Sequence, residues 1–259
     1  MPMPQVSVVT SVYNGEEYLE ECVDSILSQT FQNFEYIILN NGSTDGTARI
    51  LQQYTDPRLR IIHQENLGIS RSLNKGINLS NSDLIARLDA DDFSSPQRLE
   101  KQVIFMEKHP DIVLCGSRWL ELIGEKLCKQ IVDFVETDQA IKKSMSLFNP
   151  FSHSAVIFRK KAFLTTGGYS ERFKYTQDYD LWVRMLAFGK TLILKEELAV
   201  VRMSGQSESH KNARKQKLEA LQIRWDAFQQ FGGNPGQALY YFFKTLMGLI
   251  SPSKGNLNR

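Results

Sequence analysis

Cysteine is scarce: Cys22, Cys115 and Cys128 are the three in 259 residues, and no two form a Cys-x-x-Cys pair. An odd count without metal-ligand spacing fits a reducing cytosol rather than a disulfide scaffold or a zinc knuckle. Cys22 and Cys115 fall among apolar helix and strand positions and are expected to be small buried hydrophobes. No run of about 18 apolar residues occurs, so no spanning helix is expected. The start, Met1-Pro2-Met3-Pro4-Gln5, runs into a strand pattern with no signal-peptide pattern, which points to a cytoplasmic chain. Net charge is also small, +2, which gives no bulk argument for a nucleic-acid partner. No Gly-x-Gly-x-x-Gly follows the first strand, which argues against a Rossmann dehydrogenase. Internal repeats and low-complexity tracts are absent.

What remains is an ordinary globular balance, 42% hydrophobic and 23% charged, enough for one sizeable core. The charge is unevenly spread. From Arg202 to the end there are nine Lys/Arg against three Asp/Glu, so the preceding body is acidic.

Residues 6–13 form a short β-branched run, and Asn14-Gly15 breaks it. Residues 16–29 place Tyr18, Leu19, Cys22, Ile26 and Leu27 on one helical face. Strands are expected at 35–39, 60–63 and 83–88. Helices are expected from a Ser43 or Thr44 cap to about Tyr54 and over 69–79. Strand and helix alternating at this spacing imply a mostly parallel sheet of α/β class, with ligands beyond the strands' carboxyl ends. Further on, the pattern predicts helices over 97–109 and 178–188, strands at 112–119, 154–159 and 191–194, and a hairpin over 121–133 turning near Gly124. From 207 to 231, Leu218, Leu221, Trp225 and Phe228 recur at helical spacing. Gly232 to Gly236 breaks the chain before an apolar segment, 238–250.

The chemistry concentrates at three places. Asp89-Ala90-Asp91-Asp92 puts three carboxylates within four residues at a strand end. They repel one another unless solvated or neutralised, and a hard divalent cation does the latter. The alternative is an acidic turn capping the next helix. Asn40-Asn41-Gly42-Ser43-Thr44-Asp45-Gly46-Thr47 is small and polar, and an Asn amide can pair with the edge of a base; a plain turn with a helix cap explains it as well. Asp178 and Asp180 open a helix, where one carboxylate can cap and the other act as a base.

Together these segments resemble family 2 of the inverting glycosyltransferases, which have the GT-A fold. The resemblance runs through Val6 to Asn14, Gln29-Thr30, Asn40 to Thr47, Asn66-Leu67-Gly68, Leu73 to Ile77 and Asp89 to Asp92. It continues in Asn149-Pro150-Phe151-Ser152-His153, Gly167-Gly168-Tyr169 and Gln177 to Arg184, in order over roughly residues 5–205. It implies a Rossmann-like sheet flanked by helices, a GT-A domain over 1–205 and a helical extension over 206–259. It implies transfer of a sugar, UDP-linked, from a nucleotide-diphosphate donor to a glycan or lipid-linked acceptor hydroxyl with inversion, in cell-surface polysaccharide or glycolipid synthesis. Asp91 would bind Mg²⁺ or Mn²⁺ on the donor diphosphate, and Asp89 would bind the ribose or support the metal. Ser11 and Tyr13 would hold the nucleotide, Asn40 would meet the base, and Asp178 would deprotonate the acceptor.

Two departures stand out. The family usually has Asp-Asp-Gly-Ser where Asn40-Asn41-Gly42-Ser43 stands here. Relatives with Arg-x-His after the last strand bring a His to the metal, whereas this chain reads Arg202-Met203-Ser204, and His210 lies too far along. A nucleotidyltransferase would carry a basic Gly-rich loop after strand one, but Tyr13-Asn14-Gly15-Glu16-Glu17 is acidic. A non-catalytic binding module would be favoured by loss of Asp91 or Asp178, and both are present.

The tail combines His210-Lys211 and Arg214-Lys215-Gln216-Lys217 with an aromatic-rich segment too short to cross a bilayer. Such a pair can lie on an anionic membrane, here the inner face of the plasma membrane. Packing on the domain or a homodimer contact is the alternative.

Overall fold

The computed structural model describes residues 3–129, 135–203 and 212–250. His210 and Lys211 of the basic segment, Ser204, and the far end of the 121–133 hairpin lie outside these residues.

The first half is a βα repeat: β1 (Val6–Val12), α1 (Leu19–Leu27), β2 (Phe34–Asn41), α2 (Thr47–Leu51), β3 (Leu59–Gln64), α3 (Ile69–Asn78) and β4 (Leu84–Arg87). These strands pair in parallel in the order β3-β2-β1-β4. Val6, Val8 and Val9 have no exposed surface, because α1 covers one face with Leu19, Cys22, Val23 and Ile26 and α3 covers the other with Leu73 and Ile77. A strand covered on both faces must be apolar on both, hence its unbroken run of β-branched residues. Cys22 and Cys115 are buried free thiols, as their apolar neighbours implied.

After β4 the sheet becomes mixed. The chain runs through β5 (Phe93–Ser94), α4 (Arg98–Lys108), β6 (Ile112–Ile123), β7 (Lys126–Lys129) and α5 (Asp138–Ser144). A single 3₁₀ turn (His153–Ala155) then precedes β8 (Ile157–Arg159), α6 (Lys160–Thr165), α7 (Gln177–Met185) and β9 (Lys190–Arg202). β8 lies antiparallel between β4 and β6, and β6 runs parallel to β9. Parallel pairing therefore governs the first half, and the second half combines antiparallel pairs with the parallel β6–β9 pair. β9 extends far beyond the expected 191–194, since exposed Lys195 and Glu196 interrupt its apolar run while its ladder with β6 continues through register shifts. β5 and the helices α5 and α6 were not expected; each is too short to show a period.

Two helices follow, α8 (Ala213–Phe231) and α9 (Pro235–Ile250). The buried stripe of α8 is Ala220, Ile223 and Ala227, in one core with Trp182 and Leu181. This corrects the expected stripe: Leu218 and Trp225 face outward, 51% and 59% exposed. Small residues let the helix approach closely, so its large ones point away. Glu219 reaches back from α8 and accepts hydrogen bonds from the backbone N–H of Lys174 (3.1 Å) and Tyr175 (2.9 Å) and from Thr176 Oγ1 (2.9 Å). Thr176 is the N-cap of α7 and makes no cap bond of its own, so Glu219 anchors the entry to that helix from outside.

Candidate functional site

The loops after β1 and β2 are laced together. Asn14 N–H donates to Ser43 Oγ (3.0 Å), and Thr44 N–H returns a bond to Asn14 Oδ1 (2.8 Å). Gly15 N–H donates to Thr47 Oγ1 (2.9 Å), and Gly46 N–H to Glu16 Oε2 (2.6 Å). Asn14 holds φ +53, in the left-handed region that Asn tolerates best among residues with side chains. Asp45, rather than Ser43 or Thr44, serves the start of α2 by accepting from Thr47 N–H (3.0 Å).

Among the expected nucleotide ligands, Tyr13 is 53% exposed on this rim, and Ser11 is half-buried at the end of β1. Asn40 is buried, its Oδ1 accepting from Ser43 N–H (3.2 Å) and its amide 3.2 Å from His63 Nδ1. Asn41 takes Gln64 Nε2 (3.0 Å) and Leu67 N–H (2.9 Å) on its oxygen. Both asparagines thus shape the loop wall, and Gly42 (φ +75) leaves no space for a Cβ, which would stand 2.7 Å from Asn66 N.

The three carboxylates after β4 have different fates. Asp89 pairs with the fully buried Arg87 (2.5 Å) and lies 3.4 Å from His153 Nδ1. Burial alone would raise its pKa, but His153 and Arg87 outweigh that and hold it well below the ordinary carboxylate range. Asp92 is buried, accepting Ser154 Oγ–H and Arg202 N–H (2.8 Å). Burial, with Asp91 and Asp89 nearby, raises its pKa. Asp91 accepts no side-chain hydrogen bond or ion pair among the described residues. Burial and the neighbouring Asp89 charge push it up to about 6.

An unpaired carboxylate held against its own charge is what a hard cation relieves. No group of three or more His, Cys, Asp or Glu gathers for a metal among the described residues. The donor set thus fits Mg²⁺ or Mn²⁺ carried mainly by phosphate and water oxygens with one or two carboxylates. Arg202, where relatives lead toward a His, donates to Asp91 O (3.1 Å), pairs with Glu21 (2.5 Å) and covers the Tyr18 ring at 4.1 Å.

Asp178 and Asp180 separate cleanly. Neither caps α7. Asp180 pairs with Arg184 (2.5 Å), which also donates to Thr166 O (2.7 Å) and Gly168 O (2.8 Å). Asp178 instead accepts from Asn149 Nδ2 (3.0 Å) and borders a cavity of about 580 Å³. Burial raises its pKa above the usual aspartate value.

Residues 149–154 are what sequence reasoning left without a role. Asn149 holds Asp178, while His153 and Ser154 hold Asp89 and Asp92, so one short segment joins Asp178 to the acidic loop. Tyr169 completes the network with its OH 2.7 Å from His153 Nε2. Its backbone exchanges two hydrogen bonds with Asn74, and Gly168 (φ +77) packs so close that a Cβ would stand 2.6 Å from Asn74 Oδ1. The signal was present as Asn-Pro-Phe-Ser-His and Gly-Gly-Tyr, polar and turn-forming residues in an otherwise weakly patterned stretch.

The family model described as glycosyl transferase family 2 matches residues 7–167. The chain belongs to that family. It is a glycosyltransferase, and the amylovoran biosynthesis glycosyltransferase AmsE of Erwinia amylovora is 29% identical over 253 residues, 94% of each chain. Among solved structures, S. aureus TarS 1–349 in complex with UDP-GlcNAc superposes with TM-score 0.72 at 16% identity, over 93% of this chain and 71% of that one. The mannosyltransferase PcManGT of Pyrobaculum calidifontis, in complex with GDP-Man and Mn²⁺, gives TM-score 0.67 at 16% identity, over 98% and 77%. These likenesses establish for this family 2 glycosyltransferase a GT-A fold, with its C-terminal helices included. No described helix is long and apolar enough to cross a membrane.

Proposed function

We propose that this glycosyltransferase moves a sugar from a UDP-linked donor to an acceptor hydroxyl with inversion, in synthesis of a cell-surface polysaccharide or glycolipid. The observation that carries the reading is Asp178: a carboxylate with raised proton affinity, oriented by Asn149 and bordering a cavity, tied through residues 149–154 to the acidic loop.

Ser11 and Tyr13 bind the nucleotide on the rim, and the Asn40 loop closes the wall behind the base. Asp89, kept ionised by Arg87 and His153, takes the ribose or steadies the acidic loop. Asp91 would hold Mg²⁺ or Mn²⁺, and the ion would supply neutralising charge at the donor diphosphate. Asp178 accepts the acceptor's proton as its oxygen bonds to the anomeric carbon and the bond to the diphosphate oxygen breaks. A base on the face opposite the leaving group makes this a single displacement. The names of AmsE, TarS and PcManGT support a nucleotide-sugar donor, a divalent metal and a polysaccharide product.

The test is calorimetry and turnover with UDP, GDP, dTDP and CDP sugars plus Mn²⁺, with NMR of the product's anomeric configuration. Retention of configuration overturns the single displacement. Pyrophosphate release from a nucleoside triphosphate would point to nucleotidyl transfer instead.

A further inference from the structure

The cavity beside Asp178 has an unexpected charge. Its walls include Lys217 and Arg224 of α8 and Lys244, Tyr241 and Thr245 of α9, and Asp178 is the one acid among its described lining residues. Lys217 and Arg224 are seven residues apart, two helical turns on the same face. Neither lysine has a carboxylate within ion-pairing distance among the described residues. Arg224 Nη1 donates to Thr245 Oγ1 (2.8 Å), but its Nε is buried with no hydrogen-bond partner. A buried donor left unpaired is costly, and three cations turned toward one space repel one another. The repulsion falls when an anion enters the space between them.

We propose that the acceptor carries a phosphate group, and that Lys217, Arg224 and Lys244 bind it while its hydroxyl reaches Asp178; this rests on the sugar-transfer reading above. The anion is not the donor's diphosphate, because none of Ser11, Tyr13, Asn40, Asp89 or Asp91 lines this cavity. A volume of about 580 Å³ accommodates a phosphorylated sugar. The phosphate can belong to a soluble glycan or to a lipid. Exposed Tyr240 and Phe243 flank Lys244 on α9, so a lipid chain leaving the cavity would meet an apolar face.

The experiment is calorimetric titration of the full chain with inorganic phosphate, with octyl phosphate below its micelle concentration, and with octyl glucoside. Each is run with and without saturating UDP and Mg²⁺. Both phosphates should bind, the glucoside should not, and UDP should leave binding in place. The Lys217→Ala/Lys244→Ala variant, altered only at exposed side chains, should bind about tenfold or more weakly while keeping its circular dichroism spectrum. Tighter binding of octyl phosphate than of inorganic phosphate assigns the anion to a lipid; equal binding assigns it to a soluble acceptor. The proposal is overturned if neither phosphate binds, if the variant binds like the parent, or if UDP displaces the anion. Failure of the parent to bind UDP with metal would instead remove the nucleotide-sugar reading, and the phosphate titration would still score the anion site by itself.

Discussion

Asn149 donates a 3.0 Å hydrogen bond to Oδ2 of Asp178 and so orients that carboxylate from outside α7. Asp178→Asn should lower kcat by a factor of about 10²–10⁴, the usual worth of a general base, with donor affinity near normal. Turnover like the parent's would remove Asp178 from the mechanism. Asn149→Ala should lower kcat by roughly 10- to 100-fold through misorientation, with little change in donor KM; a KM effect alone would contradict the positioning role.

The pH dependence follows from the same carboxyl. Its pKa is raised by burial, so the acid limb of kcat should lie above the range of an ordinary aspartate, and activity should rise with pH through it. Stability has the opposite sign. A carboxyl with a raised folded pKa contributes stability at low pH, and that contribution is lost as pH rises through the folded value. Asp178→Asn should therefore raise Tm at neutral pH, by about 1–3 °C, a gain that shrinks in acid. Differential scanning calorimetry at two pH values decides it.

Asp89 and Asp91 should behave differently although they are two residues apart. Asp91→Ala removes a carboxylate whose pKa is raised by burial and by Asp89, so metal-dependent donor binding should disappear while Tm at neutral pH stays level or rises. Asp89→Ala strands the fully buried Arg87 and should cost about 3 kcal/mol of stability, read by urea unfolding. Equal losses of stability would contradict this division.

Metal should arrive with the donor. One unpaired carboxylate and no cluster of three or more metal-ligating residues among the described residues make a weak site alone. Calorimetry should show Mn²⁺ binding tightly only with UDP present; tight binding without nucleotide would refute it.

The apolar face of α9, exposing Tyr240, Phe243 and Met247, is expected to meet an anionic membrane. The full chain should sediment with anionic liposomes, and Phe243→Asp/Met247→Asp should stay in the supernatant. If neither sediments, gel filtration of the two should reveal a dimer that the double substitution splits.

Much of the first half was legible because its signals are local. A strand covered on both faces is written as Val6 to Val9, and its end is written as the polar residues that follow. The acidic loop was legible for the same reason. The union of Asn149 with Asp178 and of His153 with Asp89 was not, since it depends on β8 inserting antiparallel beside β4, which no local period encodes. The outward turn of Trp225 was hidden because close packing favours Ala220 and Ala227 over larger neighbours with the same spacing.

Glu219 has a consequence for the newly made chain. The turn leading into Asp178 is held by a carboxylate that is synthesised more than forty residues later. While a ribosome has delivered β9 but not α8, the sheet and the acidic loop have all their own residues, yet the entry to α7 lacks its anchor. The turn before Asp178 can therefore take its final form only once α8 has emerged and Glu219 can reach it.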